Sequence, residues 1–210
     1  MKIILATQNQ GKVLELRELL VNEEIEVLSL LDIPDWIDVE ENGVTFADNA
    51  ALKAREAVRR TGLIALADDS GLEVDALNCA PGVYSARYAG EPKDDERNTD
   101  KLLYLLENIP EDKRTARFRC ALVMATPFGE EYLTEGSVEG LILTKRCGLN
   151  GFGYDPVFYL QEFARTMAEL TMSEKNTISH RAQAFRKVIP ILRTCKVTMP
   201  RALTENDAMS

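Results

Sequence analysis

The sequence Leu63-Ile64-Ala65-Leu66-Ala67-Asp68-Asp69-Ser70-Gly71-Leu72 has two adjacent aspartates directly after a run of five apolar residues. The apolar run, 63–67, predicts a short buried strand that ends at the aspartates. In open α/β sheets, ligands usually bind at the carboxyl ends of strands. Two carboxylates at such an end repel each other and are costly to desolvate unless a cation or a proton lies between them. The pattern therefore predicts a ligand site, although a polar turn closing the strand fits the same residues.

A second candidate site lies near the N-terminus. The aliphatic run 2–6 predicts a strand, and the polar segment Thr7-Gln8-Asn9-Gln10-Gly11-Lys12 predicts a loop. Val13, Leu16, Leu19 and Leu20 follow at helical spacing. A helix that begins after a glycine-containing loop can bind phosphate through its free N–H groups and its dipole. The P-loop pattern is absent, and taken alone these residues favour an ordinary strand-to-helix turn over a phosphate site.

The next helix carries its own start signal. Residues 26–31 predict a second strand, and 32–42 predict an acidic loop. Thr45 and Asp48 resemble a capping box, with a helix from there to Arg60. One face of this helix is lined with alanines, and Asn49, Lys53 and Glu56 lie on another side. Lys53 is either an ordinary surface lysine or a ligand-binding residue.

The middle of the chain predicts more strand than helix. A charged loop is expected over 91–98 and an amphipathic helix over 99–106. The β-rich runs 117–126 and 130–142, joined by Pro127-Phe128-Gly129, predict an antiparallel hairpin. Parallel units followed by a hairpin make an α/β fold with a mixed sheet.

Two more polar patches occur near the C-terminus. The segment 147–158 holds three glycines that let the backbone approach a ligand, with the rings of Phe152 and Tyr154 available to stack on a base. A glycine-rich turn with core aromatics is the alternative. His180, the one histidine in the chain, adjoins Arg181 at the start of a helix that Pro190 should distort.

Composition limits the classes of function. A chain of 210 residues can form one domain or two closely joined lobes, and we expect a single unit over 1–200 with a disordered tail over 201–210. The net charge of −9 disfavours a general nucleic-acid binder. No apolar run is long enough to span a membrane, and the N-terminus does not resemble a signal peptide. The four dispersed cysteines predict reduced thiols and a cytoplasmic protein, with no zinc site.

Taken together, these motifs resemble the inosine triphosphate pyrophosphatase family over nearly the whole chain, from Lys2 to about Leu192. The matching segments are Thr7-x-Asn9-x-x-Lys12, Glu41-Asn42-Gly43-x-Thr45-Phe46, Asn49-Ala50, Lys53-Ala54, Ala67-Asp68-Asp69-Ser70-Gly71-Leu72, Pro81-Gly82-Val83-Tyr84-Ser85-Ala86-Arg87, Gly151-Phe152-Gly153-Tyr154-Asp155-Pro156 and Lys175-x-x-x-Ser179-His180-Arg181. Any one of them could arise by chance, but all of them in this order are specific to the family.

The resemblance implies a fold, a reaction and partners. The fold would be an elongated α/β structure of two lobes around a long mixed sheet, with the nucleotide in the cleft between them. The protein would be a Mg²⁺-dependent homodimer that hydrolyses a purine nucleoside triphosphate to the monophosphate and pyrophosphate. Deaminated purines, as in ITP, dITP and XTP, would be the preferred bases.

The same resemblance implies a role for individual residues. The triphosphate would be bound by Lys53 and by the loop Thr7, Gln8, Asn9, Gln10, Gly11 and Lys12. Glu41 and Asp69 would hold the metal, and Asp69 would also be the general base, with Asp68 as the substitute for either role. Ser70 would touch the substrate. Phe152 would stack on the base. Asp155, Lys175, His180 and Arg181 would read the edge of the base, and Gly153 and Tyr154 would also belong to the substrate site.

The sequence departs from the family pattern at two places. Gln8 stands where the family usually has glycine, and Asn78-Cys79 replaces a common glycine pair. Neither departure removes a functional group.

Two alternative functions stay open. One alternative is a related pyrophosphatase with another base preference, such as modified pyrimidines, which the His180-Arg181 pair disfavours. The other is a nucleotide sensor without catalysis, which the carboxylates of Glu41, Asp68 and Asp69 disfavour.

Overall fold

The computed structural model describes residues 1–37 and 39–198, with side chains as far as residue 195. The strands are β1 (Lys2–Leu5), β2 (Glu26–Ser29), β3 (Ile64–Val74), β4 (Thr115–Ala125), β5 (Glu131–Ile142), β6 (Phe158–Leu160) and β7 (Arg165–Thr166). The α-helices are α1 (Gln10–Leu19), α2 (Phe46–Thr61), α3 (Asp95–Leu105), α4 (Met172–Ile178) and α5 (His180–Thr198). The strands form one sheet in the order β2-β1-β3-β4-β5-β6-β7.

The sheet is parallel at one end and antiparallel beyond it. Strand β1 pairs in parallel with β2 and with β3, whereas β3, β4 and β5 pair antiparallel along almost their whole lengths. The turn 127–129 joins β4 to β5, with the N–H of Gly129 donating to the carbonyl of Thr126. The predicted α/β class, the mixed sheet and the hairpin are confirmed.

Alternation of side chains along the strands builds a core on each side of the first part of the sheet. Leu5 and Leu66 pack on one face with α1 and α5, through side chains such as Phe185. Ile4 and Ala65 pack on the other face against the small side chains of α2, which include Ala50, Ala54 and Ala57. We call this three-layered region the first lobe.

A separate core covers the second part of the sheet. Leu72 and Val74 of β3 pack with α3 and with Phe158 of β6. We call this region the second lobe. Because β3, β4 and β5 are long enough to contribute to both cores, they join the two lobes as one continuous ladder.

The predicted short strand over 63–67 is wrong in its length. Strand β3 continues to Val74, so Asp68 and Asp69 lie in the middle of a strand and not after its end. The strand continues because β4 pairs with it throughout, with Asp68 opposite Leu122 and Asp69 opposite Ala121. Strand β1 stops pairing at Leu66, so the aspartates still lie just beyond the carboxyl end of a parallel neighbour.

Other boundaries differ by a few residues for local reasons. Helix α1 begins at Gln10, because the side chain of Asn9 accepts a hydrogen bond from the N–H of Lys12 and caps it. Helix α3 begins at Asp95 inside the expected charged loop, since Asp94 caps it in the same way. Strand β2 ends at Ser29, where a 3₁₀ turn begins.

Two helices complete the frame of the site. The capping box at the start of α2 is confirmed, with Thr45 and Asp48 bonded reciprocally. Helix α5 continues through Pro190, whose side chain is exposed, while Val188 and Leu192 stay buried in the core. Within the described residues, no helix is long and apolar enough to cross a membrane. The tail expected to be disordered, 201–210, lies outside the described residues.

Candidate active site

A cavity of about 570 Å³ lies where the two lobes meet, beyond the carboxyl end of β1. Most of the side chains that the sequence singles out line it. These are Thr7, Gln8, Asn9, Lys12, Glu41, Lys53, Asp69, Ser70, Phe152, Gly153, Tyr154, Asp155, Lys175, His180 and Arg181. Gln10 and Gly11 do not line the cavity, because they form the first turn of α1 behind the loop.

The polar loop before α1 is held by its own side chains. The hydroxyl of Thr7 accepts a hydrogen bond from the N–H of Asn9 at 3.2 Å, and Asn9 caps the helix through the N–H of Lys12 at 3.1 Å. The N-terminus of α1, with its partial positive charge, therefore points toward the cavity from this loop. Gly11 is needed nearby, since a Cβ there would lie 2.8 Å from the Phe152 ring.

Asp68 is buried and serves as an anchor for cations. Its Oδ2 accepts hydrogen bonds from Lys12 Nζ at 2.8 Å, Ser70 Oγ at 2.6 Å and Arg181 Nε at 3.2 Å. Burial disfavours the charged carboxylate, but the charges of Lys12 and Arg181 outweigh it and hold the pKa of Asp68 far below its ordinary value. A carboxylate bound so firmly is a poor proton acceptor, so the geometry disfavours Asp68 as a general base.

Asp69 faces the opposite side of the strand, toward α2. Its Oδ2 accepts a hydrogen bond from Asn49 Nδ2 at 3.0 Å, and its Oδ1 lies 3.6 Å from Lys53 Nζ. Because neighbouring residues of a strand alternate, the two carboxylates contact different cations, Lys12 and Arg181 for Asp68 and Lys53 for Asp69. Burial raises the pKa of Asp69 above its ordinary value, in spite of the nearby Lys53 and Lys12.

Glu41 lies between two cations at the same end of the cavity. Its Oε1 accepts a hydrogen bond from Lys53 Nζ at 2.9 Å, and its Oε2 lies 3.5 Å from a guanidinium nitrogen of Arg87. Lys53 also donates to the carbonyl of Asp68 at 2.8 Å, so it is not an ordinary surface lysine. Burial opposes its charge, but Asp69 and Glu41 outweigh burial and raise the pKa of Lys53.

The cations at the other end of the cavity are bound to carboxylates. Lys175 Nζ donates to Asp155 Oδ2 at 2.6 Å and to Glu15 Oε1 at 2.8 Å. Arg181 donates to the second oxygen of Glu15 and, from Nε, to Asp68. Both cations are therefore fixed in a buried network that holds their positions.

His180 is neutral in this environment. Burial lowers its pKa well below the ordinary value, and the charges of Arg181 and Lys175 lower it further. Its ring stacks on Phe118 at 5.0 Å, and its Nδ1 is buried without a hydrogen-bond partner. A neutral imidazole has one donor and one acceptor, so His180 can present either to a ligand.

The aromatic residues of the 151–156 segment have different surroundings. Phe152 lies near two cations, with Lys175 Nζ 5.0 Å and Arg181 Cζ 5.4 Å from its ring centroid. Its backbone N–H donates to Asp155 at 3.1 Å. The hydroxyl of Tyr154 donates to the carbonyl of Ser85 at 2.9 Å, which ties the segment to the second lobe and leaves Phe152 as the ring free to stack.

Sequence reasoning missed several residues of the site. Asn49 and Arg87 lie within quoted motifs, so their motifs were the available signal, but no role was given to either. Glu15 gave no signal, because a glutamate in an amphipathic helix usually faces solvent. Phe118 looked like an ordinary residue of the hairpin, and only the fold places it against His180.

The comparisons with known proteins agree with each other. A family model described as the Ham1 family matches residues 3–191. A dITP/XTP pyrophosphatase of Desulforamulus reducens is 58% identical over 192 residues, covering 91% of this chain and 96% of that protein. One from Bacillus cereus is 54% identical over 189 residues, covering 89% and 92%.

Solved structures show the same similarity. The Ham1 protein of Staphylococcus aureus superimposes with a TM-score of 0.81 at 42% identity, covering 92% of this chain and 99% of that chain. A nucleoside-triphosphatase / dITP/XTP pyrophosphatase of Mycobacterium abscessus gives 0.72 at 47% identity, covering 92% and 100%. The family resemblance inferred from the motifs is thereby confirmed. With these matches and with the motif residues gathered around one cavity, the chain belongs to the Ham1 family.

Proposed function

We propose that this protein hydrolyses deaminated purine nucleoside triphosphates, namely dITP, XTP and ITP, to the monophosphate and pyrophosphate. The observation that carries the proposal is the division of one cavity into two ends. Lys12, Lys53, Glu41 and Asp69 lie at one end, and Phe152 with the Lys175 network lies at the other. A nucleotide has the same division, with an anionic chain at one end and a planar base at the other.

The phosphate end supplies positive charge. Lys12 and Lys53 line the cavity together with the N-terminal loop of α1, where backbone N–H groups are available to an anion. Lys12 pairs with Asp68 at 2.8 Å, and Lys53 pairs with Glu41 at 2.9 Å. These ion pairs hold the ammonium groups at the cavity wall before the substrate arrives, which lowers the cost of ordering them.

Mg²⁺ is the cofactor we propose, and Glu41 and Asp69 would hold it. Within the described residues, no group of three or more His, Cys, Asp or Glu side chains is arranged to bind a metal. Two carboxylates still fit Mg²⁺, because this ion is commonly held by one or two carboxylates together with substrate phosphates and water. When bound, Mg²⁺ would neutralise the phosphate charge as the bond breaks.

Asp69 is the general base in this proposal. Asn49 donates to one of its oxygens, the other accepts from the backbone N–H of Ser70 and lies 3.6 Å from Lys53, and the residue lines the cavity. Burial raises the pKa of Asp69 above its ordinary value, which makes it a better proton acceptor than an ordinary aspartate. The water that it deprotonates attacks the α-phosphorus, and pyrophosphate leaves.

Selectivity for the base would follow from fixed donors. Phe152 would stack on the purine. Lys175 and Arg181 lie over the Phe152 ring. Their positions are set by ion pairs with Glu15, Asp155 and Asp68. The 6-carbonyl of hypoxanthine or xanthine accepts hydrogen bonds, whereas the 6-amino group of adenine would face these cations donor to donor. We therefore propose preference for ITP, dITP and XTP over ATP, with weaker discrimination against GTP.

The experiment is a panel of nucleoside triphosphates in which pyrophosphate and inorganic phosphate are measured separately. Deaminated purines should be consumed fastest and release pyrophosphate, and excess chelator should stop turnover until Mg²⁺ is restored. Phosphate and a diphosphate as first products would refute the reaction. Faster turnover of a modified pyrimidine would replace the proposed substrate, and binding without turnover would indicate a sensor.

A further inference from the structure

Arg87 lines the phosphate end of the cavity, next to Glu41. It is the last residue of a 3₁₀ segment, Gly82–Arg87, that follows β3. Its side chain is 26% exposed and opens onto the cavity. The chain therefore brings a further cation to this end from the second-lobe side, in addition to Lys12 and Lys53, and Lys93 also lines the cavity.

Glu41 fixes the position of this guanidinium. One terminal nitrogen of Arg87 donates to the backbone carbonyl of Glu41 at 3.2 Å, and the other lies 3.5 Å from Glu41 Oε2. The ring of Tyr84 lies 5.4 Å from Cζ and supports one face. Lys53 bonds the other oxygen of the same carboxylate, so Arg87 and Lys53 flank Glu41.

The charges at this end favour a further cation, besides Lys12 and Lys53, that contacts the phosphates. A nucleoside triphosphate is strongly anionic, and negative charge builds on the bridging oxygen and the leaving group as the bond breaks. Lys12 is shared with Asp68, and Lys53 is shared with Glu41 and the carbonyl of Asp68. A guanidinium has five N–H donors, and the contacts to Glu41 leave others available.

We propose that Arg87 is a further catalytic residue, which binds the β- and γ-phosphates and stabilises the leaving pyrophosphate. The inference rests on the proposed function. Water attacks the α-phosphorus and loses its proton to Asp69, and the bond from the α-phosphorus to the bridging oxygen breaks. That oxygen leaves with the bonding electron pair as part of pyrophosphate. Arg87 provides fixed donors for this charge, as Arg side chains do for planar anionic groups.

The test compares Arg87→Gln and Arg87→Lys with the control Arg97→Gln. Arg97 is exposed on α3 and contacts the backbone of Ala89, so its substitution removes the same charge outside the cavity. We expect Arg87→Gln to lower kcat/KM for ITP by about 10²–10³-fold, the cost of removing one fixed donor to a developing anion. Arg87→Lys should recover part of this loss, and Arg97→Gln should match wild type.

Product inhibition separates phosphate binding from support of the Glu41 loop. Arg87→Gln should weaken inhibition by inorganic pyrophosphate at least about tenfold and leave inhibition by IMP unchanged. Equal effects on both products, or kinetics like those of Arg97→Gln, would overturn the inference. Failure of wild type to release pyrophosphate from ITP would instead refute the proposed function. Thermal unfolding identifies a misfolded variant, and if Arg87→Gln does not fold, Arg87→Lys provides the same comparison.

Discussion

Asp68 and Asp69 are neighbours in the chain but point to opposite faces of β3. Asp68 therefore meets Lys12 and Arg181 on the side of α1 and α5, whereas Asp69 meets Asn49 and Lys53 on the side of α2. Asp68 is held as an anion by these cations, and Asp69 is buried at the cavity wall. This separation gives two identical residues different chemical behaviour.

The first prediction concerns Asp69→Asn. Turnover of ITP should fall by about 10²–10⁴-fold, because the proposed general base is lost, and loss of a proposed metal ligand would add to this. The amide keeps the size of the side chain, so nucleotide binding should largely persist. Single-turnover release of pyrophosphate and equilibrium binding of ITP measure the two effects. Near wild-type turnover would exclude Asp69 as the base.

The second prediction concerns Arg181→Ala, which should destabilise the protein by about 3–5 kcal/mol. The substitution leaves Glu15 and Asp68 buried with fewer cationic partners. Urea denaturation measures the free energy of unfolding. Arg193→Ala is the matched control on the same helix, because Arg193 pairs with Glu23 at the surface, where such pairs contribute about 0–1 kcal/mol. Equal losses of unfolding free energy in the two variants would show that burial of the Arg181 ion pairs does not increase their contribution to stability.

At the scale of elements, the approach of α5 to β5 sets the position of the base-reading residues. A Cβ on Gly136 of β5 would lie 2.0 Å from the carbonyl oxygen of His180 and 2.9 Å from the backbone nitrogen of Ala184. Only hydrogen at this position lets the first turn of α5 lie against the strand. The glycine therefore fixes the depth at which His180 and Arg181 enter the cavity.

The third prediction is that Gly136→Ala displaces this first turn. Overpacking of this kind costs about 1–3 kcal/mol, and a misplacement of about 1 Å can lower the rate by 10²-fold. The free energy of unfolding and kcat/KM for ITP should both fall. Ser137→Ala is the control, since it changes the next residue of β5 on the other face. An active, stable Gly136→Ala protein would show that α5 shifts without consequence.

At the scale of the whole molecule, one buried network joins elements that are distant in sequence. Asp68 from β3, Arg181 from α5, Glu15 from α1, Lys175 from α4 and Asp155 form an alternating series of charges. The network extends from the phosphate end of the cavity to the base end. Lys12, which pairs with Asp68, brings the cations to three against three carboxylates, and this pairing makes their burial tolerable.

The fourth prediction concerns assembly and follows from the family resemblance. We propose that the protein is a homodimer, so analytical ultracentrifugation should give twice the chain mass of 23.5 kDa. The measurement should span a range of concentrations, because a weak dimer dissociates on dilution. A single species at the chain mass would refute the proposal. A cytoplasmic location, expected from the dispersed cysteines, also stays a prediction.

The sequence by itself determined the class of fold, the family and most of the residues around the cavity. Hydrophobic periodicity indicated the strands and helices because burial of one face depends on local spacing. The ordered motifs identified the family, and Thr7, Lys53 and Phe152 were named from them. The capping box of α2 was also predictable from the sequence, because Thr45 and Asp48 lie three residues apart.

Only the tertiary structure decided where β3 ends and what each charge does. The strand continues through Asp68 and Asp69 because β4 supplies hydrogen bonds that lie some fifty residues away in the chain. The neutral state of His180 and the partners of Arg181 depend on burial and on Glu15, which no local pattern marks. The charge state and the burial of a residue depend on what surrounds it in space. Around His180 and Arg181 those surroundings come from β3, β4, α1 and α4.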